Sequence, residues 1–153
     1  MANNLLWIMQ QNPDARIAVW AHNTHISRSQ SKTSSSRPMG AFLKDSLADD
    51  FRSFGFVCFE GEFTAKKGPQ YFPAILKPEP GTLEYLLEQL NEPQFILNLK
   101  KMREEKAHAL QWIDKQVFRA IGANPDVVYD TRVSDMFDYL IFIRNTSASH
   151  MIQ

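Results

Sequence analysis

Residues 53–60, with the sequence SFGFVCFE, decide the fold class of this chain. Side chains alternate between the two faces of a strand, so Phe54 and Phe56 lie on one face. Val57 and Phe59 then lie on the opposite face. Because both faces are apolar, the segment is predicted to be a central strand that is covered on both sides.

Helix and strand patterns alternate along the rest of the chain. Further strands are predicted at residues 16–21, 94–99 and 138–144. Helices are predicted at residues 2–11, 38–49, 83–91 and 103–121. This alternation is typical of the α/β class, in which helices flank a central sheet. We expect a mixed sheet, but the sequence leaves the strand order and a purely parallel arrangement open.

Two segments between these elements are predicted to be irregular. Residues 27–37 contain six serines and no apolar side chain, so they cannot contribute to a core. Residues 64–81 contain four prolines and two glycines, which interrupt both helices and strands. A connection of that length inside a small domain is often functional.

The charge balance excludes some classes of partner. The 153 residues include 17 Lys and Arg and 17 Asp and Glu, which gives a formal net charge of zero. This argues against nucleic acid or a membrane surface as a partner recognised by bulk charge. The single cysteine, Cys58, excludes an intrachain disulfide but does not determine the cellular compartment. We expect a cytoplasmic protein.

The beginning of the sequence is unusually apolar. Residues 5–9, LLWIM, would make a helix that is apolar nearly all round, and such a helix is normally buried on several sides. A domain that begins inside a buried element is expected to be a part of something longer. We therefore expect residues 1–153 to be the C-terminal portion of a larger domain, with an incomplete sheet.

A polar cluster, His22-Asn23-Thr24-His25, directly follows the predicted strand 16–21. Ligands of α/β sheets bind just beyond the carboxyl ends of strands. An imidazole can accept a proton from water or donate one near neutral pH. We predict that His22 and His25 are catalytic and that the amide of Asn23 contacts the substrate or orients an imidazole. The alternative is that both histidines are polar residues that merely end a strand.

Glu60 and Glu62 leave the end of the strand at 53–60. We expect Glu62 to contact the substrate. Two imidazoles and one of these carboxylates would also make a three-ligand metal site, but a solvated charge at a strand end is the simpler interpretation. The sequence has no nucleophile elbow, phosphate-binding loop or dinucleotide fingerprint, and we expect neither a metal nor a cofactor.

Several segments together resemble the erythromycin esterase family, which includes succinoglycan-biosynthesis-like proteins. They are Met1-Ala2-x-Asn4-Leu5-x-Trp7, Val19-Trp20-Ala21-His22-Asn23-x-His25-Ile26, Met39-Gly40-x-x-Leu43, Gly55-Phe56, Gly61-x-Phe63, Phe118-Arg119-x-Ile121-Gly122-Ala123 and Phe137-Asp138-x-Leu140-Ile141. The resemblance covers essentially the whole chain, and the stretch at residues 19–26 is its most specific part.

The resemblance implies hydrolysis of an ester, in the named family members the macrolactone of erythromycin-type antibiotics, by activated water. His22 and His25 match the histidines of the family's second motif. The family's first motif, rich in Gly, Glu and His, supplies further acid–base groups from upstream and is not found in this sequence. The resemblance therefore implies weak activity or none for this chain alone.

Three hypotheses follow from the sequence. The first is a segment of an ester hydrolase that acts on a small-molecule ester. The second is a non-catalytic fragment or interaction module, which would expose apolar surface around Leu5, Ile8 and Phe54 and bind the missing N-terminal half or a second copy. The third is a metal-dependent hydrolase that uses His22, His25 and Glu62.

Overall fold

The structure is a computed structural model, and it describes residues 1–30, 36–67, 70–76, 79–119, 128–129 and 131–149. The motif residues Ile121, Gly122 and Ala123 lie outside the described residues. The strands are β1 (Phe54–Lys67), β2 (Gln70–Leu76), β3 (Gln94–Asn98), β4 (Phe118–Arg119), β5 (Val128–Tyr129) and β6 (Tyr139–Thr146). The helices are α1 (Ala2–Gln11), α2 (Asn23–Ile26), α3 (Met39–Leu47), α4 (Leu83–Glu88), α5 (Leu99–Glu104), α6 (His108–Ile113) and α7 (Val133–Met136), with a 3₁₀ turn at Ala48–Asp50.

Four strands form a mixed sheet in the order β2-β1-β6-β3. β1 runs parallel to β6, whereas β2 and β3 are antiparallel to their neighbours. The predicted α/β class and the mixed sheet are therefore confirmed. Among the described strands, residues 54–60 pair only with β6, and Phe54 is 41% exposed, so the prediction of a central strand covered on both sides is wrong for this stretch. β4 and β5 form a separate antiparallel pair.

The core lies between the sheet and the helices that cover it. Val57 of β1 and Leu140 and Phe142 of β6 are fully buried there. They pack in one cluster with Leu83 of α4 and Phe137, which precedes β6. Packing of this kind fixes β1 and β6 as a rigid base for the residues attached to them.

The predicted strand at residues 16–21 does not form. The segment has no regular secondary structure and joins no sheet of the described residues, and every residue from Arg16 to Trp20 is exposed. A strand needs a neighbour that receives its backbone hydrogen bonds, which a propensity for extended structure cannot supply. The helix predicted at 2–11 does form as α1, but none of its residues is buried, contrary to the expectation of burial on several sides.

The irregular connection predicted at 64–81 is largely a hairpin. β1 extends to Lys67 and pairs with β2, and Pro73 lies opposite Thr64 in that pairing. Proline is tolerated in β2 because this strand is at the edge of the sheet, where one row of N–H groups needs no partner.

The single helix predicted at residues 103–121 does not form. The described part of this segment contains the end of α5, the whole of α6 and β4. The Ala107 N–H donates to the carbonyl of Met102, and the Lys106 N–H donates to that of Arg103. Together with the positive φ of 52° at Lys106, these bonds make a Schellman ending for α5. Because the position that usually holds glycine is a lysine here, the sequence gives no sign of the break.

None of the helices within the described ranges has the length and apolar character that crossing a bilayer requires.

Candidate functional site

The two predicted catalytic histidines lie on one tight turn, which we call the histidine turn (residues 22–26). His22 caps α2, and its Nδ1 accepts the backbone N–H of Thr24 at 3.3 Å. The same atom lies 2.9 Å from the Thr24 hydroxyl. An Nδ1 that accepts a backbone N–H carries no proton, so the neutral imidazole of His22 has its proton on Nε2.

Asn23 anchors this turn to the sheet. Its Nδ2 donates to the carbonyl of Phe56 at 2.6 Å, and its Oδ1 accepts the N–H of Phe56 at 3.0 Å. The residue is only 8% exposed. The amide nitrogen and the amide oxygen of Asn23 thus each bond the backbone of β1, which gives Asn23 an anchoring function.

Ser53 adds a second attachment at the other end of the turn. Its hydroxyl donates to the carbonyl of Ile26 at 2.7 Å. Gly40 of α3 packs on the same carbonyl, which a Cβ at position 40 would approach to 2.1 Å. The turn is therefore held between β1 and α3, and any side chain at position 40 would displace it.

A group of charged side chains, the Asp138 cluster, fixes the segment that follows the turn. The buried carboxylate of Asp138 accepts hydrogen bonds from the guanidinium groups of Arg28 and Arg103 and from the N–H of Ser53 at 3.0 Å. Burial lowers the pKa of Arg28, and the neighbouring charge of Asp138 opposes that shift. Because Asp138 directly precedes β6, the cluster ties the turn, α5 and the two central strands together.

A pocket of about 480 Å³ opens beside the histidine turn. Thr24 and His25 form part of its wall, whereas His22 does not line it. Met39, Phe42 and Met136 give the pocket an apolar side. Such a combination of apolar lining and a few polar groups is typical of sites for small molecules.

Arg37 brings a positive charge to the same pocket. Its guanidinium lies 4.5 Å from the centre of the Phe42 ring and donates to the carbonyl of Ala41 at 3.1 Å. It also pairs with Asp45. The pocket therefore presents an imidazole and a guanidinium to any molecule that enters it.

Glu62 is not brought to this pocket. It pairs in register with Ile75 of β2, six residues beyond Phe56, which is about 20 Å along an extended strand. Over the described ranges, no group of three His, Cys, Asp or Glu side chains could hold a metal ion. The geometry thus gives no support to a site that combines Glu62 with the two histidines.

A buried ion pair that the sequence did not reveal lies farther along β1. Glu84 of α4 is fully buried, accepts the N–H of Arg119 at 2.8 Å, and lies 3.6 Å from the Arg119 Nε. The Arg119 guanidinium donates to the carbonyls of Cys58 and Phe59, both at 2.8 Å. Burial raises the pKa of Glu84, and the hydrogen bond and charge of Arg119 oppose this shift.

The only sign of this pair in the sequence is a charged residue beside large apolar ones, at Leu83-Glu84 and Phe118-Arg119. A glutamate also suits the first turn of a helix exposed to water, so the position of Glu84 in the sequence does not by itself indicate a buried pair. Together, Asn23 and Arg119 occupy the edge of β1 that faces away from β6, which we call the open edge (residues 54–60).

A model of the family described as erythromycin esterase matches residues 1–146. A solved succinoglycan biosynthesis protein is 25% identical, with a TM-score of 0.82 over 99% of this chain and 38% of its own. A Bacillus cereus protein is 23% identical, with a TM-score of 0.85 over the same shares. A mutant of the erythromycin esterase EreC in its open conformation is 14% identical, with a TM-score of 0.70 over 99% of this chain and 37% of its own. The chain thus spans less than two-fifths of each structure.

Proposed function

Because this chain belongs to the erythromycin esterase family, we propose that it carries one wall of a site at which water hydrolyses an ester. The observation that carries the proposal is the pocket of about 480 Å³ beside His25, on a turn that Asn23 and Ser53 attach to the sheet. A catalytic base needs a fixed position next to its substrate, and this arrangement supplies one.

In the proposed reaction, His25 removes a proton from water as the water oxygen attacks the ester carbonyl carbon. The carbon–oxygen bond to the leaving group then breaks, and the imidazolium returns the proton to the departing alkoxide. The products are a carboxylic acid and an alcohol, or one hydroxy acid if the ester is a lactone. Water and histidine suffice for this chemistry, so the proposal includes no metal and no cofactor.

We assign a positioning function to His22. Its Nδ1 is occupied by the N–H and hydroxyl of Thr24, so the ring stabilises the turn on which His25 stands. Asn23 also holds this turn in place, through its two hydrogen bonds to the backbone of Phe56. We propose no direct substrate contact for Asn23 or Glu62, because neither lines the pocket.

The proposed substrate class is a small-molecule ester of the macrolactone type. The apolar side of the pocket at Met39, Phe42 and Met136 suits the hydrocarbon face of such a ring. Arg37 adds a cation that can bind the carboxylate produced by ring opening. A cytoplasmic location, testable by cell fractionation, also belongs to the proposal.

Since the chain covers 38% of the first two solved structures, turnover is proposed for the complete family domain. The remaining part would supply the acid–base groups opposite the histidine turn. Positioned acid–base groups contribute about a hundredfold or more each, so the chain alone is expected to have little or no activity.

The test is an assay of erythromycin hydrolysis by mass spectrometry, with the chain alone and with the chain co-expressed with the rest of a family domain. We expect the hydrated product only in the second case. His25→Ala should reduce the rate at least a hundredfold, whereas the matched control His108→Ala, outside the pocket, should not change it. The absence of product from the complemented protein, or equal rates for both variants, would refute the proposal.

A second candidate function is a non-catalytic binding module. Within the described residues, the His25 ring has no hydrogen-bond partner, whereas a catalytic base is usually oriented by a third group. This alternative predicts that a macrolide binds the pocket but is recovered unchanged, even when the rest of the domain is present.

A further inference from the structure

The Arg37 guanidinium is held in the pocket wall by contacts that use only part of it. It lies over the Phe42 ring, 4.5 Å from the ring centre, and its Nη2 donates to the carbonyl of Ala41 at 3.1 Å. The same nitrogen donates to the carboxylate of Asp45. Among the described residues, Nε and Nη1 of Arg37 make no hydrogen bond. The guanidinium therefore has a defined position and N–H groups left for a further acceptor.

The charge of the pocket lining is not balanced from within. The described residues that line it include Arg37 but no Asp or Glu. Ser29 also lines the pocket, and its hydroxyl is buried without a hydrogen-bond partner in the described part of the chain. A buried hydroxyl in this state is stabilised when a ligand brings an acceptor. The pocket is thus complementary to a ligand that carries a negative charge.

Asp45 is the acidic partner of Arg37, and it lies outside the pocket lining. The side chains of Arg37 and Asp45 are 40% and 60% exposed, and water screens an ion pair between groups this exposed. The pair is therefore weak and readily exchanged. Because Phe42 and Ala41 also hold Arg37, the guanidinium keeps its place when Asp45 is exchanged for another carboxylate.

We propose that Asp45 sets how tightly the pocket retains its product, because it competes with the product carboxylate for the Arg37 guanidinium. This inference rests on the proposed function, which supplies the ligand: hydrolysis converts an uncharged ester group into a carboxylate. Arg37 binds this carboxylate, and Asp45 replaces it on the guanidinium as the product leaves. Asp45 is thus a specificity-determining residue that acts through Arg37 and does not touch the substrate.

The consequence is a difference between charged and uncharged ligands of the same skeleton. A guanidinium forms stronger hydrogen bonds to a carboxylate than to the carbonyl of an ester. The negative charge of Asp45 opposes the binding of the carboxylate and has little effect on an uncharged ester. A pocket without Asp45 would therefore bind its product more tightly and release it more slowly.

The experiment measures dissociation constants by calorimetry for the purified chain at neutral pH. The two ligands are the hydroxy acid obtained by opening the erythromycin ring and the methyl ester of that acid, which differ in one negative charge. We expect the acid to bind at least about tenfold more tightly than the methyl ester. Asp45→Asn should tighten binding of the acid about two- to fivefold and leave that of the methyl ester unchanged. Arg37→Gln should remove the difference between the two ligands.

Arg132 and Asp135 provide the matched controls. They form another Arg–Asp pair, with 2.8 Å between Nε and Oδ2, and neither residue lines the pocket. Arg132→Gln and Asp135→Asn should therefore bind both ligands like the wild type. Circular dichroism checks that each variant is folded, and the tighter binding expected of Asp45→Asn is a gain that misfolding would not produce.

Equal affinities of the wild type for the acid and its methyl ester overturn the inference, as does a lack of binding by the acid. An Asp45→Asn variant that binds the acid no more tightly than the wild type, or that binds both ligands more tightly, overturns it as well. Failure of the hydrolase proposal is a separate result, because that assay detects the hydrated product made by the complemented protein and does not depend on which ligand the pocket prefers.

Discussion

Asn23 and Phe56, 33 positions apart in the chain, are joined by two hydrogen bonds of 2.6 and 3.0 Å. One side-chain amide takes both backbone groups of a residue on β1, as a neighbouring strand would. The bond pair holds the histidine turn at a fixed place on the sheet. The position of His25 beside the pocket therefore depends on a residue that carries out no chemistry itself.

Replacement of Asn23 by alanine should destabilise the protein. Both groups of the Phe56 backbone would lose their partner, and leaving partly buried groups unsatisfied costs about 1–3 kcal/mol. Urea unfolding measures the loss. The control Asn4→Ala lies on the exposed side of α1, where alanine is the better helix former, and should be neutral or slightly stabilising. Equal unfolding midpoints for wild type and Asn23→Ala would show that the anchor contributes nothing.

Replacement of Asp138 by asparagine should lower the free energy of unfolding more than Asn23→Ala does. The change leaves Arg28 and Arg103 facing each other without their shared carboxylate, and breaking a buried pair costs about 3–5 kcal/mol. Asp49→Asn removes a carboxylate that is 90% exposed and 3.3 Å from Lys100, so it should cost less than about 1 kcal/mol. Thermal unfolding of both variants checks this, and similar losses for the two would contradict the assigned importance of the Asp138 cluster.

The buried carboxyl of Glu84 should make stability depend on pH. Because its pKa is raised in the folded state, its contribution is fully present below the unfolded pKa and is lost as the pH rises through the folded value. Relative to Glu84→Gln, the wild type should therefore become less stable between about pH 4 and about pH 8. Urea unfolding at both pH values tests the sign, with exposed Glu92→Gln as the control. A relative gain for the wild type with rising pH would contradict it.

Cys58 should react slowly with thiol reagents. Burial raises the pKa of the thiol, the charge of Arg119 lowers it, and that of Glu84 raises it further, so the net shift is upward. Only the thiolate reacts, so an aromatic disulfide reagent at neutral pH should label the folded protein at least about tenfold more slowly than the urea-unfolded chain. Equal rates in the two states would show that the thiol is accessible and not shifted.

The sequence predicted what local pattern determines. The strand patterns at residues 53–60, 94–99 and 138–144 correctly predicted β1, β3 and β6, and the alternation of helices and strands correctly predicted the α/β class. The sequence pattern gave wrong predictions where a segment's structure depends on residues far away in the sequence. Residues 16–21 have strand character but no neighbouring strand to bond, and Pro73 fits β2 only because β2 is at an edge.

The same limit applies to the site. The motif at residues 19–26 identified the two histidines, but nothing near Asn23 in the sequence points to Phe56 as its partner. Glu84 and Arg119 are 35 positions apart, and each has an ordinary local interpretation. The packing of α4 against β4 brings them together. Glu62 is away from the pocket because it lies six residues beyond Phe56 along β1.

The most direct test of the central claim, that the pocket beside His25 binds the ester, is a nuclear magnetic resonance titration of the histidine-labelled chain with erythromycin. The account predicts that the imidazole signals of His25 shift and saturate, that those of His108 stay in place, and that the shifts weaken in Phe42→Ala. Unchanged His25 signals at concentrations of macrolide that shift other parts of the protein would contradict it.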